Sequence, residues 1–257
     1  MWAMSEATLT GAFTSGTVMI SGHGGASIEA YTSQVADPAP RGGVVVIHHL
    51  PGYDDATKEI VRRFGHLGYN AVMPNLYWHD APGAAPDDAA AAGRAKGGIP
   101  DDRLVGDVAG AAEYLRALPN SNGKVGVIGY CSGGRQSVLA ACSLPFDAAV
   151  DCYGAFVTGD PSSVQGHPMR NITALYDKLP DLHCPLLGLF GADDHYPSPE
   201  HVEELEQLLA KYGKSFEPHS YEGAGHAFFM VERPAFRPEA AKDGWERINA
   251  FFGKHLS

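Results

Sequence analysis

Cysteine is scarce: Cys131, Cys142, Cys152 and Cys184 are the four thiols in 257 residues. They are too few and too scattered for the disulfide frameworks that staple small secreted folds, and they lack metal-ligand spacing. Positive charge is also short, with 19 Lys and Arg against 30 Asp and Glu, a formal net charge of −11. That balance favours solubility and argues against nucleic acid or an anionic membrane as a partner. Long apolar runs are missing too, since no stretch approaches the roughly 20 residues of a membrane span. Residues 1–30 lack the basic start and apolar centre of a secretory signal, so the chain reads as cytoplasmic. Neither an internal repeat nor a separate linker is apparent. A 44% hydrophobic content supports one sizeable core, and residues 1–257 read as a single domain.

What is present is alternation. Residues 17–34 hold two extended stretches around the Gly22–Gly25 turn and predict an antiparallel edge hairpin. Val44-Val45-Val46-Ile47 reads as a strand buried on both faces, as in parallel sheets. Ile60, Val61, Phe64 and Leu67 then repeat at helical spacing up to Gly68. The same exchange of strand and helix signals recurs through Ala71–Met73, Leu104–Leu115, Val125–Ile128, Ala148–Cys152, Leu186–Phe190, Val202–Tyr212 and Phe216–Tyr221, ending in a helix marked by Trp245, Ile248 and Phe252. Repeated βα units predict an α/β fold, a doubly wound and mainly parallel sheet with helices on both faces. Residues 81–102, rich in Ala, Gly, Pro and Asp and weak in periodicity, read as a loop over a pocket or as a plain surface insertion.

One motif stands out. Gly129-Tyr130-Cys131-Ser132-Gly133-Gly134 follows the strand Val125–Ile128 and opens the helix-compatible stretch Arg135–Cys142. Strand, glycine-hemmed turn and helix together make a nucleophile elbow, with Cys131 where many hydrolases keep serine. Gly191-Ala192-Asp193-Asp194 comes next at the end of a strand, and Gly225-His226 later in a loop of small residues. Nucleophile, acid, histidine is the chain order of α/β-hydrolases. Asp194 fits the G-x-x-D turn, with Asp193 as its competitor and Glu222 and His195 as further titratable neighbours. The other three cysteines fall in apolar settings and read as small buried hydrophobes.

A thiol with a reference pKa of about 8.5 is mostly protonated at neutral pH. Cys131 would gain help from the amino-terminal dipole of the helix it opens and from His226 as base or ion-pair partner, with Asp194 holding the imidazole tautomer. Acyl transfer also needs backbone donors for the developing oxyanion. Ser132 is one candidate and Leu50, in the loop after the strand ending at Ile47, the other, because Pro51 has no N–H. His48 and His49 are adjacent on an extended segment, so their side chains diverge, and no metal site is expected. His49 reads as a residue of the pocket or of cysteine activation. Tyr53, Tyr77, Trp78, Tyr153 and Phe228 are candidate apolar walls or ordinary core.

With Cys131, Asp194 and His226 in place, the chain resembles the dienelactone hydrolase (carboxymethylenebutenolidase) family from about Gly16 to the final helix. The elbow at 129–134, Asn75-Leu76-Tyr77 and Gly225-His226-Ala227-Phe228 carry the resemblance. It implies cleavage of an ester or lactone through a thiolate and an acyl-enzyme, without a cofactor, on a small-molecule substrate, in a monomer or small homo-oligomer. The chain also departs from the pattern. Where the family has a glutamate that helps activate the cysteine, the matching position is His49. Four residues beyond His226, where the family has a carboxylate-binding arginine, stands Met230, and Arg94 or Arg103 aligns with the family's other arginine. Two further readings therefore stay open: a tailoring enzyme performing acyl transfer or ring opening, and a non-catalytic small-molecule binding protein on the same scaffold.

Overall fold

The alternating β-branched and amphipathic segments build one eight-stranded sheet in a computed structural model that describes residues 12–163 and 172–257. β1 (Phe13–Ser21) and β2 (Ser27–Val35) form the expected antiparallel hairpin through a 3₁₀ turn at His23–Gly25. β2 pairs antiparallel with β4 (Asn70–Pro74), which lies parallel to β3 (Arg41–Ile47). From β3 the sheet runs parallel through β5 (Ser121–Tyr130), β6 (Ala148–Cys152), β7 (Leu186–Gly191) and β8 (Phe216–Tyr221), in the order β1-β2-β4-β3-β5-β6-β7-β8.

The central strands are buried on both faces, and alternate residues serve two cores. Val45, Ile47, Val125 and Val127 face α3 (Asp101–Arg116), α4 (Ser132–Ser143) and α5 (Pro199–Lys211) through Leu104, Val108, Val138, Leu139, Leu205 and Leu209. Val44, Val46, Ile128 and Val150 face α1 (Asp55–His66) and α6 (Pro238–Leu256) through Val61, Phe64, Trp245, Ile248 and Phe252. Helices thus cover both faces, and the carboxyl ends of β3, β5, β6, β7 and β8 share one edge.

The structure corrects one expectation. Residues 81–102 are not an irregular loop, because they contain α2 (Pro86–Ala95) and the first residues of α3. Alanine is the strongest helix former, Pro86 occupies the first turn, and Asp87 and Asp88 sit where the helix dipole favours acid. Periodicity was illegible because the face α2 buries is made of Ala89, Ala90 and Gly93, not of large residues. Asp80, nearly inaccessible, anchors the segment by accepting hydrogen bonds from Arg103 and Lys96. Burial pushes the pKa of its carboxyl up, but those two cations outweigh burial and hold it below the ordinary carboxylate value.

Candidate active site

β5 stops at Tyr130, α4 starts at Ser132, and Cys131 between them has φ 57° and ψ −120°. That is a sparsely populated conformation for a residue with a side chain. It requires glycine on either side. A Cβ on Gly129 would sit 1.8 Å from the Gly133 carbonyl oxygen, and one on Gly133 would sit 2.5 Å from the Ile47 carbonyl oxygen. The turn is pinned where the Cys131 N–H donates to the Cys152 carbonyl at 3.0 Å and the Gly134 N–H to the Cys131 carbonyl at 2.9 Å. Cys131 stays partly accessible, while Cys142, Cys152 and Cys184 are buried. Burial pushes the Cys142 and Cys184 thiols up to about 12, so they remain neutral.

The turns after β7 and β8 bring an acid and an imidazole to this thiol. His226 Nε2 lies 2.9 Å from Cys131 Sγ, and His226 Nδ1 lies 2.8 Å from Asp194 Oδ2. Asp194 is buried, and its Oδ1 accepts from the Tyr196 N–H at 2.9 Å, which fixes the carboxylate. Asp193 is exposed, and its backbone N–H donates to the Ala224 carbonyl. His195 and Glu222 are exposed as well. Burial opposes a charged His226, but the hydrogen bonds to Asp194 and Cys131 outweigh it and raise its pKa to about 10. The Tyr153 ring packs edge-on against the imidazole at 5.2 Å.

After β3, the two histidines part company. His48 is buried, its Nδ1 3.0 Å from the His49 carbonyl, and its Nε2 accepts from the Leu76 N–H at 3.3 Å. Burial is the main cause that lowers its pKa to about 4, so it is a neutral structural bridge. His49 is also buried, and its Nε2 faces Asp54 Oδ2 across 3.0 Å. Among the described residues, no group that could hold a metal ion is present.

Cys131 and His226 stand where two cavities meet. The first, of about 420 Å³, is walled by Ile99, Ala155, Phe156, Ile172 and Tyr196, with Ser132, Arg135, Gln136, Asp193, Asp194 and His195 completing its lining. The second, of about 390 Å³, is lined by His49, Leu50, Tyr153, Ala227, Met230 and Arg233, and closed by Pro234 and Ala235. Of the residues singled out in the sequence, Cys131, Asp194, His226, Ser132, Leu50, His49 and Tyr153 therefore converge. Tyr53, Tyr77, Trp78 and Phe228 line neither cavity. Tyr77 packs on the His48 ring at 5.2 Å, Tyr53 lies under Lys58 at 4.6 Å, Trp78 packs on the core, and Phe228 is buried behind Tyr153 at 5.3 Å. Arg103 is spent on Asp80, and Arg94 lines neither cavity.

Sequence reasoning missed Ile99, Phe156, Tyr196 and Arg233. One signal was available: residues just past a strand's carboxyl end border the site in a parallel sheet, and Phe156 and Tyr196 follow β6 and β7. Backbone strain could not be read. Of the five non-glycine residues with positive φ among those described, Cys131, Tyr153, Phe156 and Ala227 line these two cavities, and Tyr53 does not. Strain of this kind costs roughly 1–3 kcal/mol per residue and concentrates at functional sites.

A mainly parallel sheet with an elbow nucleophile position and an Asp–His pair on its carboxyl edge defines an α/β-hydrolase fold. Residues 28–256 match the dienelactone hydrolase family, and the chain belongs to that family. It is a hydrolase of the carboxylic ester class. A carboxymethylenebutenolidase from Pseudomonas putida is 30% identical over 239 residues, spanning 87% of this chain and 93% of that protein. A candidate carboxymethylenebutenolidase from Escherichia coli K12 is 31% identical over 217 residues, or 82% of this chain and 76% of its relative. The crystal structure of a candidate dienelactone hydrolase from Klebsiella pneumoniae matches with a TM-score of 0.81 at 28% identity, covering 95% of this chain and all of that one. An acylaminoacyl peptidase from Pyrococcus horikoshii, at 17% identity and a TM-score of 0.69 over 95% of this chain and 42% of its own, shares the fold alone.

Proposed function

We propose that the protein hydrolyses an ester or lactone through a Cys131 thiolate and an acyl-enzyme, with His226 as proton carrier and Asp194 as the acid that orients it. The observation that carries this reading is the continuous chain from Sγ to Nε2 at 2.9 Å and from Nδ1 to Oδ2 at 2.8 Å. A His226 pKa raised to about 10 favours an imidazolium in the resting enzyme, the natural partner of a thiolate. Attack by Sγ forms the S–C bond and puts negative charge on the carbonyl oxygen. The N–H groups of Ser132 and Leu50 are the proposed donors to it. Ser132 opens α4, where a backbone N–H has no partner within the helix. Collapse breaks the C–O bond, and His226 gives its proton to the departing alkoxide.

Acylation removes the thiolate, and with it one cause of the high His226 pKa. The imidazole is then neutral closer to physiological pH and takes a proton from the attacking water. Cleavage of the thioester returns the acid product and the thiolate–imidazolium pair. Four unpaired cysteines and an acidic surface support a reducing, cytoplasmic setting for a single-domain enzyme.

Intact-protein mass after brief mixing with p-nitrophenyl acetate, and in parallel with dienelactone, tests the reading. We expect a transient acyl adduct in the wild type and none in Cys131→Ala, with turnover lower by on the order of 10³ or more in the variant. Full turnover by Cys131→Ala would remove Cys131 from the chemistry. Acyl transfer to added amines or alcohols in preference to water would make the enzyme a transferase rather than a hydrolase.

A further inference from the structure

The two cavities that meet at Cys131 and His226 differ in chemistry. In the first, the buried guanidinium of Arg135 is already consumed, since it holds Asp101 through a pair of 3.0 Å bonds and the Thr173 carbonyl at 2.7 Å. Asp194 is likewise committed to His226 and the Tyr196 N–H. Among the described residues, most of the remaining wall is apolar and partly aromatic, from Ile99, Ala155, Ile172 and the Phe156 and Tyr196 rings 5.6 Å apart, with Ser132 and Gln136 as its polar members. Asp193 and His195 stand at the exposed rim. A space of about 420 Å³ whose inner charges, Arg135 and Asp194, are both paired favours an apolar group.

The second cavity holds an unspent polar side chain. His49 is only 4% exposed, and its Nδ1 has no hydrogen-bond partner among the described residues. The Asp54 carboxylate 3.0 Å from Nε2 favours the tautomer with its proton there, which leaves Nδ1 as a buried acceptor. A buried acceptor without a partner is costly, and a ligand donor that meets it is strongly preferred over an isostere that does not.

We infer that the substrate is an asymmetric ester, or a lactone with equivalent substituents: an aromatic-sized apolar arm fills the cavity of Phe156 and Tyr196, and the arm on the other side of the reacting carbonyl carries a hydroxyl or N–H that donates to His49. This inference rests on the proposed thiol hydrolysis and specifies its substrate class.

The test is kcat/KM by proton release for methyl acetate, methyl phenylacetate and benzyl acetate, then for 2-hydroxyethyl phenylacetate against propyl phenylacetate and for benzyl glycolate against benzyl propionate. We expect one aromatic arm to raise kcat/KM tenfold or more over methyl acetate, and the hydroxyl to add a further tenfold over its apolar counterpart. Ala155→Phe, which fills the first cavity, and Tyr196→Ala, which removes an exposed wall, each shrink the aromatic gain. His49→Phe erases the hydroxyl preference. If an acyl-enzyme forms but aromatic arms bring no gain on either side, or the hydroxyl preference survives in His49→Phe, the inference is overturned while thiol hydrolysis stands. If none of these esters acylates Cys131, the hydrolytic reading fails first and takes this inference with it.

Discussion

His226 illustrates how a single residue links the site to the fold. Its folded pKa, raised to about 10, lies above the ordinary 6.5, so its stabilising contribution is complete below pH 6.5 and is lost as pH rises towards 10. Thermal unfolding followed from pH 6 to 10 is expected to give a falling Tm in the wild type and a flatter profile in His226→Gln. Parallel profiles would mean that the imidazole is not coupled to Asp194 and Cys131 in the folded state. Asp151, on β6 beneath the elbow, presents a related case. Its Oδ1 accepts from the Gly154 N–H at 2.7 Å, while Oδ2 is buried with no partner among the described residues. Burial pushes its pKa up to about 7, against the opposing pull of Gly154 and His226. The folded protein therefore keeps a proton that the unfolded chain releases near pH 3.8, and stability drains away between about pH 4 and about pH 7. We predict that wild-type Tm declines relative to Asp151→Asn across that window. A constant difference between the two would remove Asp151 as the titrating group.

At the level of elements, the elbow is the most constrained piece of chain. The 1.8 Å approach between a Cβ at position 129 and the Gly133 oxygen leaves no room for a methyl group. Gly129→Ala is expected to cost about 3 kcal/mol in denaturant unfolding, because β5 and α4 must separate to admit it. A loss below 1 kcal/mol would show that the turn relaxes more easily than its geometry implies. This element was readable in the sequence, since the apolar strand, the glycines and the helix follow one another without a break from Val125 to Cys142. The helix α2 was not, because its buried face of Ala89, Ala90 and Gly93 has no hydrophobic contrast. Periodicity detects helices that bury large side chains, and α2 is held instead by alanine propensity and by the ion pairs of Asp80.

For the molecule as a whole, α6 closes one face of the sheet with Trp245, Ile248, Phe251, Phe252 and Leu256. Phe252 is fully buried, packed against Phe64 at 5.9 Å and beside Gly126 of β5. Phe252→Ala is predicted to destabilise the protein by about 3–5 kcal/mol, with an unchanged denaturant slope, which chemical unfolding would measure directly. A loss of less than 1 kcal/mol would mean that α6 contributes little to the common core.

The alternation of strands and helices, the α/β class and the positions of Cys131, Asp194 and His226 rested on local signals: a period of two or 3.6 residues, a glycine-flanked turn, an acid and a histidine just after strands. Such signals survive in a linear chain because each depends on neighbours within a few residues. The G-x-x-D turn favoured Asp194 over Asp193, and the fold adds the physical reason: the Asp194 carboxylate is buried, fixed by the Tyr196 N–H, and reaches the imidazole, whereas Asp193 is exposed. The walls of the two cavities, the committed charge of Arg135 and the unspent Nδ1 of His49 were settled by tertiary structure alone. They depend on residues tens of positions apart, such as Asp101, Arg135 and Thr173, meeting where strands end, and no periodicity within a segment records that meeting.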